Sequence, residues 1–307
     1  MTGVQAKAKH PSGRRARRLQ MGERVVMRHG LERQFWQDLF HQCMTMSWPG
    51  FLLGWAGLFL VFNLAFSIFY HFAPGCVANL NPPGYLGAFF FSVETIATVG
   101  YGDMHPATPY GHAVAAVEIF VGMTGLALVT GLMFARFSRP TARFLFAKVV
   151  VVRPMDGQTV LMCRAANARE NVVMEASAQL RLIRDSLNAE GYRFRRVEDL
   201  KLIRSEHPLF VLGWSLMHVI DASSPLAGET AASLDAARAV INLTLSGTDE
   251  TTGQVLMARH AYPASAIRWD HGFADILFPG EDGVDHVDYS RFHEVEPLPS
   301  RRAGDRA

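Results

Sequence analysis

Charged residues are missing from two long stretches of this chain of 307 residues. Residues 39–93 contain no Asp, Glu, Lys or Arg, and residues 104–135 contain only Glu118. A water-soluble surface needs such side chains, so the two stretches exclude a wholly soluble chain and point to lipid. Cysteine is also scarce. Cys43, Cys76 and Cys163 are odd in number and widely spaced, which excludes a disulfide framework and a cysteine metal cluster. No Gly-rich dinucleotide or phosphate loop follows a strand pattern, which weakens a nucleotide-binding regulatory domain. No nucleophile–base constellation supports an enzyme, and no Arg-rich span supports a voltage sensor. The formal charge of +2 is too small to suggest a nucleic-acid binder. The twelve histidines show no metal-ligand spacing, and there is no internal repeat.

What the chain does contain is Thr98-Val99-Gly100-Tyr101-Gly102-Asp103 between the two uncharged stretches. Glycines at alternate positions admit backbone conformations that side chains forbid. Successive carbonyl oxygens can then face one axis. Four such segments around that axis make stacked oxygen rings able to replace the water around a potassium ion. Neutral oxygens suit a hard monovalent cation and release it again. A Gly-rich turn in a soluble loop is the plain alternative, and the apolar flanks argue against it.

The flanks order themselves by length. Residues 48–72 are apolar and long enough for a ~30 Å hydrocarbon core at about 1.5 Å per residue. Residues 111–137 make a second span. Residues 85–97 are apolar but too short to cross, which reads as a re-entrant pore helix ending at the filter, 98–103. Its C-terminal dipole favours a cation there. Residues 35–47 read as a short amphipathic helix lying in the membrane surface, with Pro49 marking a break after it. The first 34 residues are basic, with Arg14, Arg15, Arg17 and Arg18 clustered, and about 30 residues separate that cluster from the first span. This predicts an uncleaved cytoplasmic N-terminus, and the basic residues after the second span place both chain ends on the cytoplasmic side. Residues 138–150 are a linker. Over residues 151–296 short alternating runs punctuated by Gly, Asn, Asp and Pro predict an antiparallel β-sandwich, followed by a tail at 297–307.

The order of span, pore helix, filter, span and β domain resembles the inward-rectifier potassium channel family, most closely its bacterial branch. The resemblance covers nearly the whole chain. Phe89-Phe-Phe-Ser-Val-Glu-Thr is similar to the family's pore helix, and Ala135-Arg-Phe-Ser-Arg-Pro to its membrane-exit motif. His218-Val-Ile-Asp-Ala-Ser-Ser-Pro-Leu and Ala258-Arg-His-Ala-Tyr are similar to its β-domain signatures. The resemblance implies a fold in which a two-span α-helical potassium-channel pore is joined to a C-terminal cytoplasmic immunoglobulin-like β-sandwich. It implies a homotetramer of identical subunits around one pore, in the inner membrane of a bacterium. It implies no cofactor, only K+ as the permeant ion on the filter carbonyls, with block by barium.

The residues implied follow position by position. Thr98, Val99, Gly100, Tyr101 and Gly102 line the filter, supported by Glu94 and Asp103. Animal members pair the acid behind the filter with a basic residue just past it; Met104 stands there. Phe134 matches the inner-helix crossing, where phenylalanine rings would gate by excluding water; a packing or lipid-facing aromatic is the alternative. Gly122 matches the inner-helix hinge, although small residues also let helices pack closely. Leu126 occupies the cavity position that is acidic or polar in strong rectifiers, implying weak block by magnesium or polyamines. Arg136, Arg139 and Arg143 match part of a basic cluster for anionic phospholipid or phosphoinositide; membrane topology alone is the alternative. Gly253 and Met257 belong to a loop resembling the family's cytoplasmic constriction. Glu118 is an intramembrane acid with either a structural role or a place in the wet outer vestibule. Two other readings remain beside the channel. One is a two-span channel gated through a calcium- or nucleotide-binding domain. The other is a membrane-anchored sensor.

Overall fold

The computed structural model describes residues 17–21, 24–28, 38–281 and 283–299. Arg14 and Arg15, the first residues of the expected surface helix (35–37) and the end of the tail lie outside them. The chain forms two units, residues 31–139 and residues 1–30 with 140–307.

Strands β1 (Arg17–Met21) and β2 (Arg24–Arg28) pair antiparallel within the basic N-terminal segment. In the unit of residues 31–139, helix α1 spans Leu39–Thr45. Met46 then turns extended, and Ser47 caps helix α2, Trp48–His71, by accepting from the Gly50 N–H at 3.3 Å. Pro49 sits in the first turn of α2, where its missing N–H is harmless. The break anticipated at the proline is thus a cap before it. Strand β3 (Val77–Ala78) lies in the loop that follows. Helix α3, Tyr85–Ile96, leads into the filter. Strand β4 (His105–Pro106) pairs with β3 and ties the two loops together. Helix α4, Pro109–Phe137, is capped by Thr108, which accepts from the Gly111 N–H at 3.1 Å. It begins two residues before the expected start because Pro109 fits a first turn.

Only 17% of the apolar window of α2 or of α4 is buried within the chain. Leu53, Phe120 and Leu128 are exposed. The unit buries a small apolar cluster around Tyr70, Phe91 and Met104, and with it four polar side chains, Asn63, Ser67, Ser92 and Glu118.

The second unit is built around a larger apolar core. Its strands are β5 (Phe144–Phe146), β6 (Val150–Met155), β7 (Gln158–Asn167), β8 (Val173–Leu187), β9 (Arg193–Leu200), β10 (Glu206–Phe210) and β11 (Gly213–Val219). A short helix α5 (Ala231–Ala236) precedes β12 (Val240–Asp249), β13 (Val255–Pro263) and β14 (Ile267–Trp269). One sheet has the order β10-β8-β12-β13 with β9 also on β8; the other has β11-β7-β6-β14 with β5 also on β7. Strand β12 alternates strictly, turning Ile241, Leu243 and Leu245 inward. They meet Leu161 and Cys163 of β7 and Val150 and Val152 of β6 in one apolar core. Two small pairs follow, β15 (His271–Phe273) with β18 (Val295–Pro297), and β16 (Leu277–Pro279) with β17 (Asp285–Val287).

Two details depart from the expected antiparallel pattern. Strand β14 runs parallel to β6, after a 3-10 turn over Ala264–Ala266 that links β13 of one sheet to β14 of the other. Two of the alternating runs in the sequence, residues 172–176 and 178–184, fall on one strand, β8. A bulge opposite Ser246–Thr248 shifts its inward set from Val173 to Ala176 and Ala178, and that phase slip makes one strand look like two.

Candidate ion-coordination site

The filter segment leaves the C-terminal end of α3 and stays tied to it. The Thr98 N–H donates to the Thr95 carbonyl at 3.0 Å, and those of Val99 and Gly100 donate to the Glu94 carbonyl at 2.9 and 3.3 Å. Thr98 (φ 57°), Gly100 (φ 55°) and Gly102 (φ 89°) take positive φ, whereas Val99 and Tyr101 do not. Alternating the sign of φ turns successive peptide planes so that carbonyls stand on one side. Glycine accepts this freely at 100 and 102; Thr98 adopts it without that freedom, which the composition of the motif does not foretell. Among the described residues, no hydrogen bond ends on the carbonyl oxygens of residues 98–102. Val99 and Tyr101 are exposed on the single chain. At the outer end, the Asn79 side-chain amide donates to the Asp103 carbonyl at 3.0 Å. Glu94 is half-buried, and Met104 is buried in an apolar cluster with Tyr70, Cys76, Val77, Ala88 and Phe91.

Along α4 the expected residues separate by role. The helix runs unbroken through Gly122. A Cβ there would lie 2.3 Å from the Ile96 carbonyl oxygen, so close approach of α4 to the pore helix by itself demands glycine. Leu126 and Phe134 are exposed on the single chain, at 59% and 73%. Glu118 is fully buried, which removes the vestibule alternative. Its Oε2 accepts from the Tyr70 hydroxyl at 2.6 Å, and its Oε1 accepts from the Ser92 hydroxyl.

Arg136, expected to meet lipid, also makes contacts within the chain. Its guanidinium donates to the Cys43 carbonyl and, at 2.9 Å, to the Met46 carbonyl. It also lies over the rings of Trp48 and Phe51, 4.6 and 4.8 Å from their centroids. A guanidinium fits this site because its planar fork caps the C-terminal carbonyls of α1 while its face stacks on aromatic rings. Arg136 is thus occupied by protein oxygens. Arg139 is exposed and donates to the Met44 carbonyl at 3.3 Å; Arg143, in the other unit, is exposed.

In the sandwich, Gly253 and Met257 lie on the β12–β13 hairpin. Gly253 (φ 65°) makes the turn and donates to the Asp249 carbonyl at 2.8 Å; Met257 is a strand residue and exposed. The buried Asp249, which the sequence reading did not single out, fixes that turn. Its carboxylate accepts from the Thr251 and Thr252 N–H groups at 2.9 and 3.1 Å and from the Asn171 amide at 2.7 Å. His218 is buried, with Nδ1 donating to the Lys201 carbonyl and Nε2 accepting from Ser224, both at 2.8 Å. Burial holds its pKa below the usual histidine value, against the Lys201 contact and the Asp221 carboxylate, which raise it. His260 stacks on Phe146, and burial lowers it likewise.

Two membrane-length helices, a short apolar helix between them and a segment whose carbonyls have no hydrogen-bond partner among the described residues have the layout of a pore-loop channel subunit, here joined to a β-sandwich. Comparison with known sequences agrees in both parts. Residues 58–139 match an ion channel family model, and residues 144–306 match the inward rectifier potassium channel C-terminal domain. The inward rectifier potassium channel Kirbac3.1 of Paramagnetospirillum magnetotacticum is 39% identical over 275 residues, 89% of this chain and 93% of that one. The human inward rectifier potassium channel 4 is 30% identical over 302 residues, 85% of this chain and 67% of that one. The chain belongs to the inward-rectifier potassium channel family, in its bacterial branch. It is a multi-pass membrane channel subunit and not an enzyme.

Proposed function

We propose that four copies of this chain surround one pore and pass K+ through the carbonyls of residues 98–102, down its electrochemical gradient. The observation that carries this reading is the alternating φ of Thr98, Gly100 and Gly102 along an exposed segment whose carbonyls have no hydrogen-bond partner among the described residues. One chain supplies a single line of oxygens, and a dehydrated cation needs a ring. The exposed apolar faces of α2 and α4 are surfaces for lipid and for neighbouring copies. Barium, similar in size to K+ but doubly charged, would lodge in the same rings. Phe134 from each copy would close the inner end by excluding water, and the Gly253–Met257 hairpin would narrow the path again in the sandwich layer. Leu126 leaves the cavity without a carboxylate, so magnesium and polyamines block weakly.

The chain sits in the inner membrane with both ends cytoplasmic, an orientation that the basic segments flanking the spans support. Arg139 and Arg143 meet anionic lipid, phosphoinositide included. Arg136 holds α1 to the end of α4, so a force on the surface helix reaches the gate. The test is cross-linking of the purified protein together with rubidium uptake into liposomes with and without phosphoinositide. A four-subunit ladder and an uptake rate that changes with phosphoinositide, and stops changing in Arg139→Ala/Arg143→Ala, are expected. A dimer, or a lipid response untouched by the double substitution, contradicts the corresponding part.

A further inference from the structure

Glu118 is the one acid of the second span, and no step of permeation uses it. Its surroundings are built from α2, α3 and α4 of the pore unit. Helix α2 brings Tyr70 and Asn63, α3 brings Ser92, and α4 brings Glu118 itself; all four are buried. Besides meeting Glu118, the Ser92 hydroxyl lies 3.1 Å from Asn63 Oδ1, and Asn63 Nδ2 donates to the Phe59 carbonyl at 2.7 Å, which fixes the orientation of that amide. One helical turn further along both α3 and α4, Ile96 meets Gly122 so closely that no Cβ fits between them. Ser92–Glu118 and Ile96–Gly122 are therefore successive steps of one axial register between pore helix and inner helix. Between Ser92 and Ile96 stands Glu94, whose carbonyl holds the N–H groups of Val99 and Gly100. An apolar contact in lipid can slide at little cost. A carboxyl group gripped on both oxygens by hydroxyls from two other helices cannot, because sliding strands buried polar atoms.

We propose that Glu118 is a positioning residue for the filter. Held by Tyr70 and Ser92, it sets the height of the pore helix and thereby the spacing of the carbonyls at residues 98–102. This rests on the reading of those residues as the conduction path. The full-length protein is reconstituted in liposomes, and rubidium uptake is competed with potassium and with sodium. Glu118→Gln keeps an oxygen for Tyr70 and supplies a donor to Ser92, so its flux and its potassium-over-sodium discrimination stay within about threefold of the parent. Glu118→Ala and the pair Tyr70→Phe/Ser92→Ala still assemble but lose discrimination by about tenfold or more, since small misplacements of a coordinating shell are costly. A Glu118→Ala assembly as selective as the parent overturns the proposal. So does a Glu118→Gln protein that loses as much as Glu118→Ala. If Glu118→Ala does not assemble, Tyr70→Phe/Ser92→Ala decides by the same criterion. A parent protein without potassium-selective uptake fails at the conduction reading instead, and takes the proposal with it.

Discussion

The two units of this chain differ in where their large apolar side chains face. The sandwich encloses Leu243, Leu245, Leu161 and Trp214 and is held by removal of apolar surface from water. The pore unit exposes Leu53, Phe120 and Leu128 and encloses Asn63, Ser92 and Glu118. In lipid an exposed leucine costs nothing, so helices there are fixed by close backbone approach and by hydrogen bonds between side chains. Neighbouring parts of one chain therefore answer to different solvents. A substitution that is severe in one unit is mild in the other.

The largest effect that would break this contrast falls on the filter, which neither solvent stabilises. Gly100→Asp places a charged side chain at φ 55° in the row of carbonyls, and potassium-selective rubidium uptake is lost. Selective uptake that survived would sink the filter assignment. The contrast itself is sharpened by a pair of leucines. Leu243→Ala leaves a hole in the sandwich core and costs about 2–5 kcal/mol, read as a lowered unfolding midpoint of the sandwich in the full chain. Leu53→Ala, exposed on α2, shifts that chain's stability by less than about 0.5 kcal/mol. Equal effects would refute the two-solvent account.

Smaller still is Arg136→Lys. A single ammonium cannot serve the Cys43 and Met46 carbonyls while stacking on Trp48 and Phe51. Amide exchange in α1 should quicken about tenfold or more, because a hydrogen bond to a charged group is worth about 1.5–3 kcal/mol. Unchanged exchange would leave Arg136 free for lipid after all. The smallest effect is the pH response of the sandwich. Burial holds His218 neutral and lowers its pKa in the folded state, so the unfolded chain binds the proton more readily. Its contribution to stability is complete above the ordinary histidine value of about 6.5 and declines as pH falls below it. Thermal unfolding of the full chain between pH 8 and 5 reads this, and the slope should flatten in His218→Asn. A slope that persists unchanged would assign the response to other groups, such as His207 and His260, which burial shifts in the same direction.

The sequence made the filter legible because its chemistry is local: alternate glycines at 100 and 102 are needed whatever surrounds them. The spans were legible for a similar reason, since length and absence of charge suffice. The sandwich showed through in the alternation of β12, and blurred at β8, where a bulge hides the period. The Glu118 site was not legible. Tyr70, Ser92 and Glu118 are far apart in the chain, and nothing local to Glu118 says which helices its oxygens meet. The contacts of Arg136 were hidden for the same reason. A basic residue at the end of a span suits lipid, and only the fold shows it capping α1. Asp249 was passed over because an Asp beside Thr and Gly reads as ordinary turn chemistry, and its burial becomes visible only when the sheets close.

The most direct test of the central claim is a competition experiment on the full chain in liposomes. Rubidium uptake is measured against added potassium, sodium and barium. The account predicts uptake that potassium competes, sodium does not, and barium blocks. A verified assembly that takes up no rubidium, even when Phe134→Ala removes the ring proposed to close the pore, would contradict it.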